Sequence, residues 1–199
     1  SPGGKLTVAL NNGDGTWAPP QTQDLGLTGV HGLVLGEFTG DSIIDAVVLG
    51  SDSIKLLAGD GAGLFSEVDT YSVTPGALVP PAGGEVGAFV GLFDSDLRTY
   101  LAVVLPGTGE AVLFQGIQGG SRGTPQTSST GGQGPIDVIG GQFIGDGHPD
   151  LVFGHTDGSV TFFEGQIGGG FVARPDLTID SFDTVTSLAA GDFDEDGDA

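Results

Sequence analysis

The chain has 199 residues, among them 39 Gly, 11 Pro and no Cys or Met, and 26 acidic side chains against 5 basic ones leave a formal net charge of −21. Without cysteine it holds no disulfide framework and no thiolate metal or redox site, and a surface so negative repels nucleic acid and anionic lipid, leaving cations as its natural counterparts. Because 38% of the residues are hydrophobic, the glycines read as punctuation of a folded chain rather than as a sign of disorder.

In chain order, Lys5–Leu10 is an alternating segment that leads through Asn11-Asn12-Gly13-Asp14-Gly15 into a more polar stretch from Trp17. A short apolar stretch, Val30 to Leu35, then ends at the triplet Gly36-Glu37-Phe38. After a polar loop come the β-branched run Asp45-Ala46-Val47-Val48-Leu49, a third run at Ile54–Leu57, a Gly-rich turn and the polar segment Leu64–Val68. The same order recurs from Val86 through Gly91-Leu92-Phe93, Leu101–Leu105 and Ala111–Phe114, and again from Pro135 through Gly141-Gln142-Phe143, Asp150–Phe153, Val160–Phe163 and Phe171–Arg174. Val185–Ala190 and Gly191-Asp192-Phe193 open a fourth copy.

The Gly-x-Phe triplets are separated by 55, 50 and 50 residues. Four short strands in each such period, joined by tight turns, predict an all-β fold of propeller blades, each of four antiparallel strands. No window of 3.6-residue periodicity competes as a helix. The repeat frame gives one partial propeller domain over 1–199, with full blades at 30–72, 86–129 and 135–178. Residues 1–25 supply only strands three and four of a split blade, and 185–199 supply its start. About three full blades plus a split one is too few for most closed rings, so the chain is expected to be a fragment of a larger propeller or to be completed by another copy. Ser1 follows either a removed leader or an upstream segment. The longest apolar runs, Leu101–Leu105 and Ala46–Leu49, are strand-sized and far from the roughly 18 residues of a membrane span; no membrane insertion is expected.

The last nine residues, Gly191-Asp192-Phe193-Asp194-Glu195-Asp196-Gly197-Asp198-Ala199, place carboxylates at alternate positions before a glycine. That spacing wraps oxygen ligands around one hard cation, and calcium takes six to eight oxygens. An EF-hand begins in the same way but needs a helix on each side, whereas here an apolar strand precedes the loop.

With these residues in view, the chain resembles the FG-GAP or VCBS repeats of integrin-type β-propellers. Their blades carry a Gly-x-Phe element followed by a calcium loop of the form Asp-x-Asp/Asn-x-Asp-Gly-x-x-Asp. The resemblance implies an extracellular or secreted setting, structural Ca²⁺ in some blades, and a role in adhesion or ligand binding. In the last copy it assigns Asp192, Asp194 and Asp196 as side-chain ligands and Asp198 as a backbone ligand. In the first copy it assigns Glu37, Thr39, Asp41 and Asp45, with Ser42 in place of Gly. The third copy keeps Asp146, Gly147 and Asp150 but has Gln142 and Ile144 at the first two positions. The second keeps Asp94 and Asp96 but has Leu92, Leu97 and Tyr100 elsewhere. Calcium is not expected in these middle two.

Other features read as structural. Gly40-Asp41-Ser42-Ile43 is similar to the opening block of one serine-hydrolase family, yet the repeat frame puts it inside the first loop. His31, His148 and His155 fall in different blades and read as surface or strand-end residues rather than a catalytic dyad. The Gly-rich turns lack the Lys and Ser/Thr of a phosphate loop, and no glycosidase-type carboxylate pair stands apart from the calcium loops. Trp17, Phe65 and Phe171 recur just after turns and are expected to pack between blades. The Ser/Thr-rich stretch from Gly119 to Gly134 reads as a hairpin or linker open to O-glycosylation.

The function expected is therefore non-enzymatic: a calcium-binding extracellular propeller for adhesion or for binding a carbohydrate or protein ligand. Two alternatives stand beside it. One is a structural subunit that self-associates head-to-tail through its terminal half-blades, and the other is an accessory propeller of a larger polysaccharide-active enzyme. The acidity also suits a high-salt habitat.

Overall fold

The structure, a computed structural model, describes residues 4–80, 85–92, 99–117, 124–167, 170–180 and 183–191. The alternating N-terminal segment becomes β1 (Gly4–Val8), paired antiparallel with β2 (Gln21–Leu27). The first full period forms a meander of β3 (Val30–Gly36), β4 (Asp45–Gly50), β5 (Ser53–Gly59) and β6 (Phe65–Ser72). The second forms β7 (Ala88–Leu92), β8 (Thr99–Leu105), β9 (Glu110–Ile117) and β10 (Gln126–Ser129). The third forms β11 (Pro135–Gly141), β12 (Asp150–His155), β13 (Ser159–Gly165) and β14 (Phe171–Ala173). Within each meander every pairing is antiparallel and follows chain order, and no α-helix occurs among the described residues. These are three four-stranded propeller-type blades beside a two-stranded sheet.

Continuous apolar runs sit in the second strand of each blade because that strand is covered on both faces. On β4, Ala46 and Val48 pack against Leu25 and Leu27 of β2. Their neighbours Val47 and Leu49 point the other way, into a core shared with Leu101, Val103 and Val112 of the second blade and Leu151 and Phe153 of the third. On β12 the same alternation sends Val152 to a separate cluster with Val160, Val185 and Leu188. Each fully buried Val or Leu contributes about 1.5–3 kcal/mol relative to exposure, so the blades are held chiefly by their facing second strands. Tyr71 and Phe114 meet edge to face, centroids 5.5 Å apart, where the first blade packs on the second.

Polar groups fasten the two-stranded sheet to the first blade. Phe65 N donates to Gln23 Oε1 at 2.9 Å while Gln23 Nε2 donates to Phe65 O, so one side-chain amide imitates a ladder pair. Lys55 Nζ donates to Leu25 O at 2.9 Å and pairs with Glu67 at 2.6 Å.

Three expectations change. Trp17 is 65% exposed: it sits beyond the end of β1, bridged to Asn11, where among the described residues no sheet lies over it, whereas Phe65 and Phe171 do pack on core clusters. The fourth strand of the third blade stops at Ala173. Pro175, which has no N–H to donate, opens a 3₁₀ turn at Pro175–Leu177, and the edge of β13 is then taken up by β15 (Ile179–Asp180). Val185–Ala190, expected as a first strand, makes no ladder among the described residues. It docks instead through Val185 N on His155 O at 3.1 Å and Leu188 N on Asp137 Oδ2 at 2.8 Å.

Candidate calcium loops

The loop between β3 and β4 carries Glu37, Thr39, Asp41 and Asp45. Its backbone turns through Ser42, whose φ of +66° is the left-handed region that a glycine adopts without strain. The equivalent residue of the third blade, Gly147, has φ +89°. Both loops thus make the same sharp turn at the position where the resemblance calls for Gly. Asp41 Oδ1 accepts from Ile43 N at 2.8 Å, and Asp146 Oδ1 accepts from His148 N at 2.9 Å, the same local turn in both copies.

The ninth position behaves differently from a solvent-facing ligand. Asp45 is fully buried; its Oδ2 accepts from Phe38 N at 2.7 Å and Thr39 N at 2.9 Å, and its Oδ1 from Gly59 N at 3.0 Å. Asp150, also fully buried, repeats the pattern with Phe143 N at 2.8 Å, Ile144 N at 2.9 Å and Gly165 N at 3.0 Å. One carboxylate in each of these two blades therefore clamps both ends of the loop to the end of the third strand. Three of its roughly four acceptor sites are filled by backbone N–H.

The glycines and aromatics of the repeat serve the same clamp. A Cβ on Gly59 would collide with Ile44 O, and one on Gly165 with Pro149 O, so only Gly lets the chain come close enough to donate. The Phe38 ring folds back over Gly36, and that of Phe143 over Gly141. The Gly and Phe of the signature thus pack on each other at the entrance of the loop, while its middle residue takes the first ligand position. This clamp is what the sequence reading missed; its signal was the retention of Asp150 in a copy that had lost the first two ligand positions.

As a cation site the first loop is half prepared. Glu37 Oε1 accepts from Thr39 N at 3.0 Å and from Gly40 N at 2.5 Å. Thr39 Oγ1 is buried without a hydrogen-bond partner, an oxygen open to a cation. Among the described residues no three carboxylate or imidazole side chains converge as a metal-holding group; Glu37, Asp41 and Asp45 are each turned to backbone amides. In the third loop Gln142 takes the first position, its amide oxygen accepting from Gly147 N and His148 N, and Ile144 offers no oxygen. Asp192, Asp194, Asp196 and Asp198 lie outside the described residues, as do Asp94 and Asp96.

Of the three histidines, His31 Nε2 lies 3.1 Å from Ser51 Oγ. His155, at the end of β12, is wholly buried and bonded to Thr161. They sit in different blades and form no dyad with each other.

Four-stranded antiparallel blades, the first and third entered through an Asp-clamped loop, define a β-propeller-like repeat protein. Residues 142–199 match the family described as an FG-GAP-like repeat; this FG-GAP-like stretch begins just after β11 and runs through β12 to β15, the segment 183–191 and the acidic C-terminal sequence. No curated protein matches the chain.

Proposed function

We propose that this chain is a non-enzymatic, extracellular propeller module whose loops hold Ca²⁺ and which binds a protein or glycan ligand. The observation that carries the reading is the FG-GAP-like match over 142–199. The matched span includes Asp192, Asp194 and Asp196, and the equivalent loops of the first and third copies, which turn sharply through Ser42 and Gly147, support reading those three carboxylates as a cation loop. In the last copy these three carboxylates and the Asp198 carbonyl would hold the ion; in the first, Glu37, Thr39 and Asp41 would, with Asp45 remaining on its amides. Bound calcium neutralises the carboxylates and fixes the loop that presents the ligand surface.

The test is a thermal melt in millimolar CaCl₂ against EDTA. A ligand at a hundred times its Kd stabilises the native state by about 2.7 kcal/mol, which in a chain of this size raises Tm by about 5–10 °C. The double variant Asp194→Asn/Asp196→Asn should lose most of that rise. An equal Tm in calcium and EDTA sinks the metal reading. A glycan array read out by Trp17 fluorescence, together with a protein-binding screen, separates the two ligand classes.

A second reading, head-to-tail self-association, is favoured by one comparison between copies. Leu33 of β3 is 49% exposed, whereas Val138, at the same repeat position on β11, is 2% exposed. Leu33 and Leu35 border a groove of about 630 Å³ with Leu6, Val8, Leu10 and Ile44, and among the described residues β1 pairs only with β2. A strand from a second copy on the free edge of β1 would cover them. Sedimentation of the wild type against Leu33→Glu/Leu35→Glu tests it: larger species abolished by the pair support it, and a wild-type monomer at high concentration rules it out.

A further inference from the structure

His155 is the one histidine among the described residues that is wholly buried, and three parts of the molecule meet on it. Its Nε2 lies 2.9 Å from Thr161 Oγ1, and that hydroxyl donates to the backbone oxygen of Thr130 at 2.6 Å, just past β10 of the second blade. A hydroxyl has one hydrogen to give. With it spent on Thr130, Thr161 Oγ1 can only accept from the imidazole, which makes His155 the Nε2–H tautomer. The lone pair of Nδ1 is then an acceptor, and Nδ1 is buried with no hydrogen-bond partner. Gly132 lies flat against the ring, where a Cβ would overlap Cγ and Cδ2. On the backbone side His155 O accepts from Val185 N at 3.1 Å, and next to it Thr156 N donates to Gln133 O and Gly134 O at 3.1 Å.

We propose that His155 is an acid-sensitive latch: a neutral imidazole that ties the 130–134 turn after the second blade and the 183–188 segment to the third blade, and whose protonation at Nδ1 releases both.

The charged groups around it are few. From its own turn Asp157 faces it, but that carboxylate is engaged by Gln133 N at 2.8 Å, Ser159 N at 3.1 Å and Ser159 Oγ at 2.6 Å. From β11, Asp137 lies opposite Gly154 and is turned to Ser187 Oγ and Leu188 N. From the C-terminal segment Asp183 is exposed. The 130–134 turn and β13 at Ser159–Thr161 bring no charge. Among the described residues an imidazolium here has no acceptor for its new N–H, and burial holds the ring below its ordinary 6.5, with Asp157 opposing in part. The sign follows. Above 6.5 the ring is neutral folded or unfolded, and the latch is intact. Below it, release takes up a proton that the closed form refuses, so the opening equilibrium rises by up to tenfold per pH unit until the folded value is reached.

The test is nitrogen-detected imidazole NMR on the whole wild-type chain from pH 7.5 to 5, with amide exchange at Gln133, Thr156 and Val185 corrected for intrinsic rate. His155 should show the Nε2–H pattern at pH 7.5, and exchange at the three amides should accelerate together below about pH 6. His155→Gln, which keeps a side-chain donor for Thr161, should show no such acceleration. A Nδ1–H tautomer, exchange at these amides that is flat with pH, or an unchanged acid response in the Gln variant overturns the proposal. If that variant does not fold, the wild-type tautomer and exchange profile decide alone.

Discussion

At the scale of single residues, the most informative side chains are the two buried aspartates. A calcium ligand and an amide clamp call for the same residue at the same place, so Asp45 is legible in the sequence while its role is not. Only the third copy separates the two: Gln142 and Ile144 have left the ligand positions, yet Asp150 keeps its three backbone donors. Each orphaned buried donor costs about 1–3 kcal/mol. Asp150→Ala should therefore lower the unfolding free energy by about 3 kcal/mol or more in urea titrations, equally in calcium and in EDTA; a loss confined to calcium-containing buffer would show that the carboxylate acts through a metal. Ser42 offers the opposite sign. Its φ of +66° carries the left-handed penalty of roughly 1–2 kcal/mol for a residue with a Cβ, offset in part by the greater unfolded freedom of Gly. Ser42→Gly should thus raise stability by about 1 kcal/mol in the same titration.

At the scale of elements, what could be read in advance was what burial dictates. The runs at β4, β8 and β12 are apolar without alternation because both faces are covered, and their positions follow from composition alone. What escaped is decided by partners. Val185–Ala190 has the pattern of a first strand, but a strand exists only where another donates to it, and among the described residues this segment's backbone bonds only through Val185 N and Leu188 N, beside the Ser187 hydroxyl on Asp137. Trp17 has the recurrence of a packing residue yet, among the described residues, no sheet above it. Local stability should follow coverage. In native-state hydrogen exchange, amides of β4, β8 and β12 should be the slowest and those of β1 and β2 among the fastest of the strands. Gln23→Ala, which removes the paired amide contact to Phe65, should accelerate β1 and β2 selectively. Uniform acceleration of the first blade instead would mean that the two-stranded sheet and that blade open as one unit.

At the scale of the whole molecule, a net charge of −21 on 199 residues has two physical explanations with separable signatures. Diffuse self-repulsion weakens the compact state and is relieved by any salt. Screening shortens from about 10 Å at 0.1 M ionic strength to about 3 Å at 1 M, so that relief flattens out at high salt and is indifferent to the cation. Oxygen sites at Asp192, Asp194 and Asp196 instead saturate at low calcium and prefer Ca²⁺ to Mg²⁺, which is smaller and dehydrates reluctantly. Melts should therefore show Tm rising with NaCl and then levelling, with a further rise of several degrees on adding millimolar Ca²⁺ at a constant 1 M NaCl, and little from Mg²⁺. The triple variant Asp192→Asn/Asp194→Asn/Asp196→Asn should keep the first rise and lose the second. If calcium adds nothing once screening is complete, the excess of carboxylates serves solubility in salt, and the loops of this propeller are shaped by their aspartate clamps without an ion.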